Sequence, residues 1–113
     1  MQRGDIYEIN LGRGIGRECG GTHHVVVVSD SFTISLQWMI AIVPALDASK
    51  HLRRRYGVRV PATESGLSTD LLLLPNQIRS VDFSRFPKHS LGAVSAKHLS
   101  DLAAELRDTL EIK

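Results

Sequence analysis

The sequence predicts a mainly β domain, a small and partly closed barrel finished by one C-terminal helix. Three observations carry that expectation. Short apolar stretches that alternate with polar residues recur along most of the chain, and no helical pattern separates them. A stripe of leucines spaced three and four apart begins only after Ser95. A parallel α/β sheet would need a helix between successive strands, so the antiparallel barrel is the remaining architecture.

Gly20 to Asp30 is the stretch on which the rest depends: a glycine pair, Thr22-His23-His24, then four valines from Val25 to Val28. Valine is stiff at χ1 and suits a pleated surface, so this run reads as a central strand covered on both faces. His23 and His24 stand at its N-terminal end and face opposite ways, because side chains alternate along a strand. A single site can therefore use one of them easily.

In chain order, Asp5 to Leu11 reads as the first strand. Gly12 to Gly21 holds five glycines among Arg13, Arg17 and Glu18, which predicts a long, mobile connection. It is not a nucleotide loop, since a strand follows it where a phosphate-binding loop needs a helix N-terminus. Ser31 to Gln37 gives a turn or a single helical turn. Trp38 to Leu46 is a third, buried strand that Pro44 should break or bend. Asp47 to Arg54 is a basic loop. Tyr56, Val58 and Val60 form a fourth strand, and Thr63 to Thr69 a turn. The Asp70 to Leu74 run, Ile78 with Val81, and Leu91 to Val94 complete the strands. Ser95 is an N-cap for a helix from Ala96 to about Ile112.

A chain of 113 residues, 42% hydrophobic and 23% charged, suits one folded domain spanning 1–113. No apolar run approaches the roughly 20 residues that span a bilayer. The start Met-Gln-Arg-Gly-Asp leads straight into a strand with no apolar leader, so a cytoplasmic address is expected. Cys19 is the single cysteine, and an intrachain disulfide is excluded. His51, His89 and His98 stand in scattered polar surroundings without ligand spacing, so no zinc site is expected. The net charge of +2 is distributed unevenly. Lys50, Arg53, Arg54 and Arg55 crowd one segment, while Asp101, Glu105, Asp108 and Glu111 load the last, which gives one face suited to phosphate.

Arg3-Gly4-Asp5-Ile6-Tyr7, the Gly-Gly loop into a valine strand ending Val28-Ser29-Asp30, Val43-Pro44, Gly66-Leu67, Asn76-Gln77-Ile78-Arg79-Ser80-Val81-Asp82 and Leu91-Gly92 occur in an order that resembles the MazF/PemK toxins. The resemblance covers nearly the whole chain. It implies an SH3-like barrel of the CcdB/MazF/PemK type that forms a homodimer. It also implies metal-free, sequence-selective cleavage of single-stranded RNA, without a cofactor, restrained by a cognate antitoxin.

Two positions depart from the family pattern. Where the family carries Gly-x-Arg-Pro, this chain has Gly21-Thr22-His23-His24, which puts His23 at the arginine regarded as catalytic. Where a serine or threonine follows the third strand, this chain has Leu46, with Asp47 next. Metal-free RNA cleavage requires a group that takes the 2′-hydroxyl proton, one that protonates the 5′-oxygen, and positive charge at phosphorus. Imidazole titrates near neutrality, at about 6.5 when unperturbed, so His23 is a chemically suitable acid or base. Asp47 is either a carboxylate that orients it or a turn residue. The permanent charge of arginine would then come from Arg17, Arg79 or the Lys50 to Arg55 loop, which includes Arg53. Thr22, His24 and Gln77 join the expected RNA-facing set. Trp38 is expected in the core or at a dimer interface. Two other readings stay open: a protein of this fold that binds RNA or an antitoxin without cleavage, and a gyrase poison like the CcdB toxins, whose Trp-Gly-Ile end is replaced here by Leu110-Glu111-Ile112-Lys113.

Overall fold

In the computed structural model, which describes residues 1–52 and 56–112, the long strand β3 (Met39–Asp47) has different neighbours along its two halves. Its first half pairs antiparallel with β6 (Arg79–Asp82), from Met39 opposite Asp82 to Ile42 opposite Arg79. Its second half pairs with β5 (Leu71–Leu73), from Ala45 opposite Leu73 to Asp47 opposite Leu71. Pro44 lies at the exchange. Its carbonyl accepts from Leu74 N at 2.9 Å, so the edge on which its N–H is missing is the edge where the neighbouring strand changes. The expected break or bend at Pro44 is therefore a change of partner inside an unbroken strand.

On its other edge β3 pairs with β2 (Thr22–Val27), β2 with β1 (Asp5–Asn10), and β1 with the short β7 (Gly92–Ala93). β4 (Val58–Val60) closes the far side on β5, and every pairing is antiparallel. Helix α1 (Ser31–Leu36) links β2 to β3 and α2 (Ala62–Ser65) links β4 to β5. Helix α3 (Ala96–Leu110) follows β7, with Ser95 as N-cap. The result is a curled antiparallel sheet, a half-barrel with a C-terminal helix, as the alternation implied.

The two faces of the sheet make two cores. Ile6, Val26, Val43, Ala45, Leu71 and Leu73 pack beneath α3, whose Leu102 is fully buried. Tyr7, Ile9, Leu11, Val25, Val27, Ile40, Ile42 and Val81 fill the other face, where Tyr7 meets Phe86 edge to face at 5.2 Å between ring centroids. Val25, Val26 and Val27 are fully buried, because consecutive side chains of β2 enter different cores.

Several local expectations shift. β2 opens at Thr22, so both histidines lie within the strand. The Ser31 to Gln37 stretch holds a six-residue helix, Ser31–Leu36, stopped by Gln37 at φ 54° and capped by Asp30, whose carboxylate accepts from Thr33 N at 2.7 Å. The turn expected from Thr63 begins inside α2, and α3 ends at Leu110. Trp38 precedes β3 and is 69% exposed, so it is not a core residue.

Candidate functional site

The connection from β1 to β2 is a closed flap. Its arms stay joined by Leu11 N to Gly21 O and Gly21 N to Gly12 O, each 2.8 Å. Its tip is held by Glu18, whose backbone N–H donates to Ile15 O and whose carboxylate accepts from Ile15 N. Gly14 and Gly20 let the two arms touch: a Cβ on Gly20 would lie 2.6 Å from Gly14 N, and one on Gly14 would lie 2.6 Å from Glu18 O. Glycine here permits close backbone approach. The mobile connection expected from five glycines is instead a loop with its own hydrogen bonds.

Side chains from the β5–β6 region hold this flap down. In the 3-10 turn Pro75–Gln77, the Gln77 carboxamide accepts from Cys19 N at 3.0 Å and donates to Arg17 O at 2.8 Å. Arg79 donates to Leu11 O at 3.3 Å and Arg85 to Asn10 O at 2.9 Å. Between flap and sheet lies a cleft of about 350 Å³ lined by Arg13, Glu18, Cys19, Pro44, Gln77 and Arg79, with Asn76 and Ile78 at its side. Two guanidinium groups therefore border a cavity with a polar wall. That arrangement suits an anionic ligand.

His23 stands at the foot of the flap, half-buried, on the face of β2 that also carries Val25. Its Nε2 lies 3.0 Å from Gly20 O and its Nδ1 3.3 Å from Ala45 O. Gly20 follows Cys19 and Ala45 follows Pro44, so each carbonyl belongs to a chain neighbour of a residue in the cleft wall. A neutral imidazole carries one N–H and satisfies one of these carbonyls, whereas the doubly protonated ring satisfies both.

The remaining candidates divide by location. Thr22 and His24 lie on the opposite face of β2, where His24 Nε2 is 3.8 Å from a Glu8 carboxylate oxygen. Arg17 is at the flap, with its backbone carbonyl bound by Gln77. Asp47 accepts at one oxygen from Ser49 N, Ser49 Oγ and Thr69 Oγ1, and the Ser49 hydroxyl, with Thr69 next, holds its carboxyl below the ordinary range. In this structure the His23 ring is oriented by two backbone carbonyls, while Asp47 caps the turn Ala48–Lys50. Lys50 is exposed in that turn, and Arg53 lies outside the described residues. Among the described residues no group of three side chains is placed to hold a metal ion, and no helix is long and apolar enough to cross a membrane.

The cleft adds residues that sequence reading passed over as site members: Arg13, Cys19 and, at the flap's outer arm, Arg85. Arg13 had a readable signal, an arginine between two glycines. Arg85 had none, since it meets Asn10 from 75 positions away.

The fold has relatives. The chain is 27% identical to the endoribonuclease MazF9 of Mycobacterium tuberculosis, over 99% of this chain and 98% of that protein. The crystal structure of MazF from Deinococcus radiodurans superposes with a TM-score of 0.80 at 21% identity, covering 99% of this chain and 97% of that one. A mycobacterial endoribonuclease solved in complex with its cognate antitoxin superposes with a TM-score of 0.73 at 15% identity, covering 100% and 95%. Residues 2–110 match the family model of PemK-like, MazF-like toxins of type II toxin–antitoxin systems, and the chain belongs to that family.

Proposed function

We propose that this toxin is a metal-independent endoribonuclease that cleaves single-stranded RNA, with His23 as the proton-transferring group. One observation carries the reading: the imidazole of His23 contacts the carbonyls of Gly20 and Ala45, the residues that follow Cys19 and Pro44 in the wall of the cleft that Arg13 and Arg79 line. In this reading a phosphate enters the cleft and is met by the guanidinium groups, each charged hydrogen bond contributing about 1.5–3 kcal/mol. The 2′-oxygen attacks phosphorus, the bond to the 5′-oxygen breaks, and the products are a 2′,3′-cyclic phosphate and a 5′-hydroxyl end. His23 serves one of the two proton transfers after one of its carbonyl contacts opens. Arg17 and the exposed Lys50 extend the positive surface, and Arg53, Thr22 and His24 belong to the wider RNA-contacting set. Asp47, a carboxylate at neutral pH, supports the site by holding the end of β3.

The active species in this reading is a cytoplasmic homodimer neutralised by a cognate antitoxin. Exposed apolar side chains at Phe32 in α1, 71% exposed, Trp38, 69% exposed, and the half-exposed Met39 support a second copy as their cover. A second reading is binding without cleavage, favoured by Leu46 in place of a hydroxyl and by the placement of both His23 nitrogens against backbone carbonyls.

The test is incubation of the folded protein with a long single-stranded RNA in EDTA, followed by end-group analysis. Discrete fragments with cyclic phosphate ends, lost in His23→Ala, support the nuclease. An intact RNA that is nevertheless retained by the protein supports the binding-only reading.

A further inference from the structure

We infer that Gln77 is a positioning residue that sets the His23 imidazole through the backbone of the flap. The inference rests on the reading of His23 given above. Both ends of the Gln77 carboxamide are engaged, Oε1 by Cys19 N at 3.0 Å and Nε2 by Arg17 O at 2.8 Å, across 58 and 60 residues of chain. A carboxamide presents an acceptor and a donor side by side, and these two backbone groups use one of each. The next carbonyl after Cys19 is that of Gly20, 3.0 Å from His23 Nε2. One peptide link therefore separates the carboxamide's grip from the imidazole's partner.

The other partner is referenced to the same turn. Leu74, which immediately precedes Pro75–Gln77, donates to Pro44 O at 2.9 Å, and the following residue, Ala45, presents its carbonyl to His23 Nδ1 at 3.3 Å. Each carbonyl that flanks the ring thus lies one residue beyond a bond made by this turn or its N-cap: Gly20 follows Cys19, bound by the Gln77 side chain, and Ala45 follows Pro44, bound by Leu74 N. The arm that the carboxamide holds is in close backbone contact with the other arm of the flap, since a Cβ on Gly20 would lie 2.6 Å from Gly14 N. A Gln77 that reached for RNA would first have to break both bonds, so its contribution comes from the bonds it already makes.

The test uses the full-length protein without RNA and then with it. Gln77→Leu removes both bonds. Gln77→Glu keeps the acceptor for Cys19 N, removes the donor to Arg17 O and sets a carboxylate against a carbonyl. Expected for Gln77→Leu are amide exchange at Cys19 faster by about tenfold, altered His23 ring signals in the RNA-free protein, and a kcat lowered about tenfold to a hundredfold with KM little changed. Gln77→Glu should keep Cys19 exchange closer to wild type while altering the His23 ring signals and lowering kcat, and serves alone if Gln77→Leu does not fold. Unchanged Cys19 exchange and unchanged ring signals, together with a raised KM, would overturn the inference and make Gln77 an RNA contact. Wild-type cleavage by His23→Ala would remove the reading of His23, while the Cys19 exchange would still report whether Gln77 holds the flap.

Discussion

Nδ1 of His98 lies 2.6 Å from Oε2 of Glu64, and this contact joins the first turn of α3 to the short helix α2. Ser95, the N-cap of α3, is part of the same cluster: its hydroxyl is 3.3 Å from both His98 N and His98 Nδ1. The Ser95 hydroxyl, with His98 in support, holds the Glu64 carboxyl below its ordinary value of 4.5. The helix that covers one core is thereby tied at its start to the connection between β4 and β5.

That tie has a pH dependence with a definite sign. A carboxyl that titrates lower in the folded chain than in the unfolded one contributes stability above the unfolded value of 4.5, and the contribution is lost as pH falls from there through the folded value. Glu64→Gln should lower stability at pH 7 by about 1 kcal/mol and make the acid limb less steep, as measured by urea unfolding between pH 3 and 7. The limb will not vanish. Asp30, Asp47 and Asp82 are lowered too, through hydrogen bonds from Thr33, Ser49 and Ser84, and act in the same direction.

Gly20→Ala should damage activity more than stability. The new Cβ would meet Gly14 N at 2.6 Å, a backbone atom with no rotamer by which to yield, so the flap must open at the residue that faces His23. Gly16→Ala is the control, since its Cβ would meet nothing and costs only the left-handed strain at φ 59°, about 1 kcal/mol. RNA cleavage should fall at least tenfold in the first variant and stay near wild type in the second, with thermal melts of both within a few degrees.

Trp38→Glu tests the exposed apolar side chains at Phe32, Trp38 and Met39. A charge at this exposed position should leave the melting transition of the monomer unchanged and weaken self-association by at least about tenfold in sedimentation equilibrium. Unaltered self-association would place the second copy on another face.

The parts of the fold that could be read in advance are those with a local cause. Val25 to Val28 announced a buried strand because β-branched side chains favour a pleated surface, and the strand ends one residue earlier, at Val27. Ser95 followed by Leu99, Leu102 and Leu106 announced the helix, since cap and stripe are both encoded within a few residues. The flap was not legible in the same way: glycines specify freedom and close approach, and the shape came from Gln77, 58 residues away from Cys19. Pro44 misled for a related reason, because whether a strand tolerates proline depends on which neighbour occupies that edge. At the site, the alternation of β2 correctly separated His23 from His24. Asp47 could not be resolved by spacing, since its partners Ser49 and Thr69 lie on one local turn and one distant loop.

In the proposed reaction an imidazole at position 23 takes the place of the arginine that the MazF/PemK pattern carries there. The most direct measurement is the pH dependence of single-turnover RNA cleavage in EDTA, from pH 5 to 9, for wild type and His23→Arg. The wild-type rate should change with pH along a limb that His23→Arg, while still cleaving, lacks. Identical profiles for the two proteins would contradict the claim and assign the titrating group to another residue.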